Sequence, residues 1–161
     1  MGYTIAICDD DKTMADKLTV SLKNEFTKAG RNDVIIDYYD TGVQLLEALK
    51  NKMYKAVLLD INMEPMDGFS VAEAIGKSGY RTKIIFVTSH EDVVYDTFDY
   101  TPFYFIRKSR YETYVQRVVK KLIAIDGYEK TIVLDDKDGI ININSGDITY
   151  VHSEDHYLTV H

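Results

Sequence analysis

Residues 56–68 read AVLLDINMEPMDG, a short apolar run that ends at Asp60 and leads into a segment of turn-forming residues. Four further apolar runs have the same form: Tyr3 to Cys8, Val34 to Tyr39, Lys83 to Val87, and Phe103 to Ile106. Together with the run from Ala56 to Leu59 they give five predicted strands, which are separated by stretches of helical periodicity. This alternation predicts repeated strand-helix units that form a parallel sheet.

Apolar spacing and capping residues place the predicted helices. The first helix has apolar residues at intervals of four, four and three: Leu18, Leu22, Phe26 and Ala29. The second is indicated by Val43, Leu46 and Leu49. Ser70 and Ser109 each have a glutamate three residues later, and this capping-box spacing predicts that helices begin near the two serines. The last helix is expected to carry its apolar residues inward: Tyr111, Val115, Val118, Val119 and Leu122.

The pattern changes after Ile125, which sets the predicted domain boundary. Residues 1–125 form the first domain, and residues 126–161 form a linker and a small β segment. Four short pieces of this segment are predicted strands: Thr131 to Leu134, Ile140 to Ile143, Ile148 to Val151, and Tyr157 to Val160. A segment of about 35 residues has difficulty burying a core alone.

Length and charge limit the functions that the chain can have. The 161 residues are 45% hydrophobic, which supports a folded core. Residues 1–125 carry 17 Lys and Arg against 18 Asp and Glu, whereas residues 126–161 carry two against eight, and the net charge is -7. Because a DNA-binding surface should be basic, the acidic tail alone is not expected to bind DNA.

The sequence also predicts a cytoplasmic protein with no membrane partner. A membrane-spanning helix needs roughly 20 mostly apolar residues, and the sequence has no such stretch. The N-terminus lacks the features of a secretory signal. The single cysteine, Cys8, cannot form an internal disulfide, which agrees with a reducing compartment.

Polar residues stand at the carboxyl ends of the predicted strands, where open parallel sheets bind ligands. In chain order they are Asp9, Asp10, Asp60, Thr88 and Lys108. Clustered carboxylates repel one another, and a hard cation with oxygen ligands, such as Mg²⁺, offsets that repulsion. An aspartate beside Mg²⁺ can attack phosphorus and form an aspartyl phosphate. Thr88 and Lys108 would then bind phosphoryl oxygens.

Each of these residues also has an ordinary structural interpretation. Asp11 is expected to cap the first helix. Asp60 alone would be a turn residue, Thr88 a strand end, and Lys108 a solvated lysine. A shared site is favoured because all the positions occupy the same end of successive strands, which independent structural causes do not predict.

Residues from Met1 to about Ile125 resemble the response-regulator receiver domains of two-component signalling. The resemblance rests on four ordered segments: Asp9-Asp10, residues 60–68, Phe86-Val87-Thr88-Ser89, and Phe105-Ile106-Arg107-Lys108. It implies a flavodoxin-like α/β fold, in which a doubly wound five-stranded parallel sheet of order 2-1-3-4-5 has helices on both faces. The chain departs from the family pattern at Glu64, since the expected proline is displaced to Pro65, and at Ser109, where proline commonly follows the lysine.

The same resemblance implies a role for each site residue. Asp60 would be the phosphoacceptor, and a sensor histidine kinase would be the donor. The implied Mg²⁺ ligands are Asp9 (through water), Asp10, Asp60 and the backbone carbonyl of Asn62. Thr88 and Lys108 would bind the phosphate, and Phe105 would be the switch aromatic. The chain would then be a signalling protein, with no enzymatic activity beyond self-phosphorylation and self-dephosphorylation.

The C-terminal segment is similar to the opening third of a LytTR-type DNA-binding domain. The similar pieces are Ile140 to Ile143, residues 146–151 (GDITYV) and residues 155–160 (DHYLTV). The resemblance implies transcription regulation through a full-length C-terminal domain, with no DNA binding by this fragment. The chain is therefore expected to be truncated.

Two alternative functions remain compatible with the sequence, and the sequence also predicts a homodimer. The chain could be a stand-alone receiver that acts by protein-protein interaction, or a Mg²⁺-dependent phosphohydrolase with an aspartyl-phosphate intermediate. The hydrolase is disfavoured because Asn62, and not a second carboxylate, stands two residues after Asp60. A homodimer is predicted through the fourth helix, fifth strand and fifth helix, near a group of aromatic residues: Tyr95, Phe98, Tyr100, Phe103 and Tyr104.

Overall fold

The computed structural model describes residues 2–90, 93, 96–128, 131–136, 139–144, 148, 151–154 and 157–160. It divides into two compact units, Met1–Val119 and Lys120–His161. Within the described residues, no helix is long and apolar enough to cross a lipid bilayer.

The first unit is built on a five-stranded parallel sheet. Its strands are β1 (Thr4–Cys8), β2 (Ile35–Tyr39), β3 (Ala56–Asp60), β4 (Lys83–Thr88) and β5 (Tyr104–Arg107). They lie in the order β2-β1-β3-β4-β5, and every neighbouring pair is parallel. The predicted flavodoxin-like α/β topology is confirmed, and each predicted strand lies within one residue of the observed one at either end.

The helices cover the faces of this sheet. They are α1 (Lys12–Lys28), α2 (Gly42–Leu49), α3 (Gly68–Lys77) and α4 (Tyr111–Tyr128), and α4 continues into the second unit. On one face, alternate residues of β1, β3 and β4 pack with apolar residues of α2 and α3. On the other, the side chains of Ile5, Ile7 and Leu58 are fully buried, and Phe26 of α1 lies 5.0 Å from the ring centre of Tyr3.

Helix α1 begins as the sequence predicts. The Asp11 carboxylate accepts a hydrogen bond from Met14 N at 3.2 Å, so Asp11 is the N-cap. The predicted inward residues Leu18, Leu22 and Phe26 are fully buried. Ala29 is exposed, however, because the helix ends at Lys28 and Ala29 is the C-cap.

The predicted helices α2, α3 and α4 are present, but two predicted capping residues and one residue of a predicted apolar face need correction. Helix α3 begins at Gly68, because Asp67 caps it by accepting from Ser70 N at 2.7 Å, and Ser70 is therefore inside the helix. Ser109 lies in a 3-10 turn, Lys108–Arg110, and α4 begins two residues later. The predicted helix α2 is present, with Leu49 buried and Leu46 partly buried against the core. Only Val43, which is 52% exposed, lies off the buried face, and Leu45 is the buried residue that the spacing did not indicate.

The connection between β4 and β5 also differs from the prediction. Its described part contains a 3-10 helix, Asp96–Tyr100, where the sequence predicts the fourth helix. Residues 91, 92, 94 and 95 lie outside the described part. The predicted place of Tyr95 in the aromatic group of the dimer surface therefore stays a prediction. Tyr100 stacks on Phe69 of α3 with ring centres 5.1 Å apart, which fixes the end of the 3-10 helix against α3.

The second unit contains two antiparallel strand pairs. Strand β6 (Thr131–Asp136) pairs with β7 (Gly139–Asn144), and β8 (Val151–Glu154) pairs with β9 (Tyr157–Val160). Three of the four predicted strands match these elements. The prediction of a strand from Ile148 to Val151 is wrong in position, since the strand begins at Val151 and Ile148 lies outside it.

Candidate functional site

Strand register brings the predicted site residues to one edge of the sheet. Cys8 pairs with Leu59, so Asp9 and Asp60 are the next residues along neighbouring strands. Asp60 pairs with Val87, and Thr88 follows directly. Thr88 in turn pairs with Arg107, which precedes Lys108. The carboxyl ends of four strands therefore place two carboxylates, a hydroxyl and an ammonium side by side.

Lys108 joins the two buried carboxylates. Its Nζ lies 2.8 Å from Asp9 Oδ2 and 3.0 Å from Asp60 Oδ2. Burial alone would lower the pKa of Lys108, but its contacts with Asp9 and Asp60 outweigh that effect and raise the pKa. The lysine is therefore held in its charged form between two acids.

Asp60 is costly to ionise where it lies. Its burial, together with the charge of Asp9, raises its pKa to about 6, although Lys108 and a hydrogen bond from the Asn62 N-H act in the opposite direction. One ammonium thus faces two buried carboxylates, and the exposed Asp10 adds a third nearby. This excess of negative charge agrees with the predicted need for a further cation.

The donor atoms fit a hard divalent cation. Asp9, Asp10 and Asp60 can each present one carboxylate oxygen so that the three oxygens lie within 4.8 Å of one another. Asp9 Oδ2 is buried and close to Lys108, yet it accepts no well-oriented hydrogen bond. Such an oxygen retains a lone pair for a metal ion, and Mg²⁺ prefers oxygen ligands of this kind.

Three hydrogen bonds hold the turn that follows β1. Asp9 N donates to Tyr39 O at 3.1 Å, and Asp11 N donates to Asp9 Oδ1 at 2.9 Å. The Tyr38 hydroxyl donates to Asp9 O at 3.0 Å. Burial and the charges of Asp40 and Asp9 raise the pKa of Tyr38, so its phenol stays protonated as a donor at neutral pH. Sequence reasoning missed Tyr38, whose available signal was its position near the carboxyl end of β2.

The remaining predicted residues lie around this edge. Thr88 is buried, and its Oγ1 accepts a hydrogen bond from His90 N at 3.1 Å. Asn62 is exposed, two residues after Asp60. Phe105 pairs with Phe86 in the sheet, and its partly buried ring packs against the core on the α2 and α3 side. The positions of these residues are compatible with their predicted roles, which stay predictions.

The loop after Asp60 folds back on the strand that carries it. Gly68 N donates to Ile61 O at 2.8 Å. A Cβ atom at position 68 would lie 2.2 Å from the backbone oxygen of Asp60, so only glycine allows this approach. The loop between Asp60 and Gly68 therefore closes only if its last residue, position 68, is glycine.

Comparison with known proteins gives one family for the first unit. The family model described as "Response regulator receiver domain" matches residues 5–120. The transcriptional regulatory protein YpdB of Escherichia coli K12 is 28% identical over 90 residues, which is 56% of this chain and 37% of YpdB. Protein MrkE of Klebsiella pneumoniae is 27% identical over 88 residues, which is 55% of this chain and 33% of MrkE. The matched region spans about a third of these two relatives.

Solved structures show the same fold. The response regulatory domain of MrkE from Klebsiella pneumoniae superposes with a TM-score of 0.67 at 22% identity, covering 76% of this chain and 96% of that one. The response regulator TrrA from Thermotoga maritima, solved in complex with Mg(2+)-BeF, has a TM-score of 0.60 at 28% identity and covers 74% of this chain and 98% of its own.

Proposed function

Because the chain belongs to the response-regulator receiver family over residues 5–120, we propose that it is a two-component signalling protein whose phosphoacceptor is Asp60. The observation that carries the proposal is the contact of Lys108 with both Asp9 and Asp60 at the carboxyl edge of the sheet. A buried carboxylate that is costly to ionise and lies beside a fixed ammonium is suited to carry a phosphoryl group.

In the proposed reaction a carboxylate oxygen of Asp60 attacks the phosphorus of a phosphohistidine on a sensor kinase. The new O-P bond forms as the P-N bond breaks, and the histidine nitrogen keeps the electron pair and takes up a proton. Lys108 neutralises one phosphoryl oxygen, and the Thr88 hydroxyl donates a hydrogen bond to another.

Mg²⁺ is the proposed cofactor. Asp9, Asp10, Asp60 and the backbone carbonyl of Asn62 would hold it, with Asp9 acting through water, and the bound ion supplies positive charge that offsets the carboxylates and the incoming phosphoryl oxygens. Asp9 Oδ2, which is buried beside Lys108 but accepts no well-oriented hydrogen bond, supports this assignment. A further support is the relative TrrA, which was solved with Mg(2+)-BeF.

The proposed output is regulation of transcription. Phosphorylation of Asp60 would draw Thr88 inward and free space for Phe105, which biases a surface between two states. Residues 1–125 would be the receiver, and residues 126–161 a linker and part of a LytTR-type domain whose full-length form binds DNA. Support comes from the name of YpdB, a transcriptional regulatory protein, and from the antiparallel strand pairs of the second unit. A cytoplasmic location is part of this proposal.

Phosphoryl incorporation tests the acceptor. The protein is incubated with acetyl phosphate, with Mg²⁺ or with EDTA, and its intact mass is measured. We expect labelling that requires Mg²⁺ and is lost in Asp60→Asn. The matched control is Asp67→Asn, which makes the same change in the same loop and keeps a good N-cap residue. Undiminished labelling of Asp60→Asn would refute the assignment.

A homodimer is the second element of the proposed output. β5 is an edge strand of the sheet, and Tyr104 on it meets Tyr114 of α4 edge to face at 6.4 Å. Such an aromatic surface suits association between copies. We expect sedimentation velocity to show dimers that increase when beryllofluoride and Mg²⁺ are added. A monomer at high concentration under both conditions would remove the dimer and would leave a receiver that binds other proteins.

A further inference from the structure

The hydroxyl of Tyr38 reaches the acidic turn from a different strand. Tyr38 lies in β2, which is an edge strand and pairs with β1. Its hydroxyl donates to the backbone carbonyl of Asp9 at 3.0 Å, 29 residues away along the chain. Lys12 Nζ lies 4.6 Å from the centre of the same ring. One side chain therefore links the sheet edge, the acidic turn and the first residue of α1.

The Asp9 carbonyl belongs to the peptide unit that joins Asp9 to Asp10. This unit is planar, so a bond that fixes the direction of its C=O also fixes its N-H and limits where the next Cα can lie. The N-H and carboxylate of Asp9 have other partners, Tyr39 O and Asp11 N. Asp10 is exposed, and the bond from Tyr38 restrains the peptide that leads to it.

We propose that Tyr38 is a positioning residue for divalent-cation binding, because its hydroxyl holds the Asp9–Asp10 peptide so that both carboxylates face one cation. The inference rests on the proposed function, since it takes the acidic cluster as the Mg²⁺ site. Tyr38 supplies no ligand atom and acts through Asp9 and Asp10. Its contribution is to keep their oxygens as close together as the structure places them, within 4.8 Å of one another.

The chain offers a matched pair of variants for the test. Tyr38→Phe keeps the ring over Lys12 and removes only the hydroxyl. Tyr39→Phe makes the same change at the next residue of β2, where the hydroxyl lies 2.6 Å from that of Tyr54 and not at the acidic turn. Both variants, the unchanged chain and Asp10→Asn are titrated with MgCl2 by isothermal calorimetry, and their melting temperatures are measured.

We expect Tyr38→Phe to weaken Mg²⁺ binding about three- to tenfold, as the loss of one neutral hydrogen bond does. Tyr39→Phe should bind Mg²⁺ as the unchanged chain does, whatever its effect on the melting temperature. An unchanged affinity in Tyr38→Phe, with or without a lower melting temperature, would overturn the positioning role. An equal loss in both tyrosine variants would also overturn it, because the effect would then come from β2 as a whole.

The two proposals fail in different ways. If the unchanged chain takes up no Mg²⁺, the proposed cation site is wrong and the role of Tyr38 falls with it. If the unchanged chain binds Mg²⁺, Asp10→Asn loses binding and Tyr38→Phe does not, the cation site stands and only the role of Tyr38 is refuted.

Discussion

The folded chain disfavours the ionised form of the Asp60 carboxyl group. Its pKa of about 6 lies above the ordinary value of 3.8, first because it is buried and then because Asp9 is near. The folded chain therefore takes up a proton on Asp60 at a higher pH than the unfolded chain does. The contribution of Asp60 to the free energy of unfolding should therefore fall as the pH rises from about 4 to about 6, and ionised Asp60 opposes folding above that range.

Replacing Asp60 should therefore stabilise the metal-free protein. In EDTA at pH 7, Asp60→Asn is expected to raise the free energy of unfolding by about 1–3 kcal/mol, since about two pKa units set the upper limit. The gain should vanish below about pH 4, where the carboxyl is protonated in both states. Urea unfolding at several pH values measures this effect.

The control for this measurement is Asp16→Asn. Asp16 is exposed and pairs with Lys12 on the surface of α1, and exposed pairs contribute at most about 1 kcal/mol. We expect a small change in the unfolding free energy of this variant. A loss of stability in Asp60→Asn at pH 7 would contradict the account of Asp60, because it would mean that the contact with Lys108 outweighs the cost of burial.

At the scale of elements, the β3 to α3 loop depends on a glycine that allows backbone contact. A Cβ at Gly68 would lie 2.2 Å from Asp60 O and 2.9 Å from the Ile61 Cα. These are backbone atoms of the strand end, so they cannot move aside as a flexible side chain can. The start of α3 and the position of Asp60 are consequently coupled through one residue.

Two glycines of the same helix should respond to alanine in opposite directions. Gly68→Ala is expected to lower the unfolding free energy by about 2 kcal/mol or more, because the added methyl group overlaps the backbone. Gly76→Ala has nothing within 4 Å of the new Cβ and should raise the unfolding free energy by about 0.5–1 kcal/mol. Urea unfolding tests both variants, and a neutral Gly68→Ala would refute the close approach.

At the scale of the whole molecule, a cation that binds only the folded state must stabilise the first unit. A ligand at 100 times its dissociation constant adds about 2.7 kcal/mol to the unfolding free energy. We expect Mg²⁺ to raise the melting temperature of the protein and EDTA to reverse the increase. Asp10→Asn should abolish this response.

The response to Mg²⁺ should also depend on pH. Protons compete with the cation for Asp60, whose pKa is about 6, so the stabilisation should shrink as the pH falls below that value. Thermal melts followed by circular dichroism at pH 5 and pH 7.5 make the comparison. A response of the same size at both pH values would exclude Asp60 from the cation site.

Most of the sheet and the members of the site could be predicted from the sequence. The central strands β1, β3 and β4 are buried along almost their whole length, so they appear as apolar runs with little room for polar residues. The edge strands β2 and β5 are only partly buried but are recognised by the same kind of run. Parallel strands in such a sheet also present their carboxyl ends at one edge, so the residue after each run could be assigned to a common site. Asp9, Asp60, Thr88 and Lys108 were predicted in this way, and strand register brings them together.

The errors arose where two local signals compete. Ser70 and Asp67 can both cap a helix, and the structure uses Asp67, which lies beside the glycine that the loop requires. In α2 the apolar residues Val43, Leu45, Leu46 and Leu49 do not all fit on one helix face. Packing on the core buries Leu45 and Leu49 and leaves Val43 exposed. The connection after β4 forms a 3-10 helix in its described part, where Tyr100 stacks on Phe69.

The amino-acid sequence by itself determined which segments are strands, which acids follow them and where the lysine stands, because these features depend on local composition and on chain order. Only the tertiary structure decided that Lys108 contacts both Asp9 and Asp60, that burial raises the pKa of Asp60, and that Tyr38 holds the acidic turn. These features depend on contacts between residues far apart in the chain, and no local pattern specifies the distances and burial that such contacts produce.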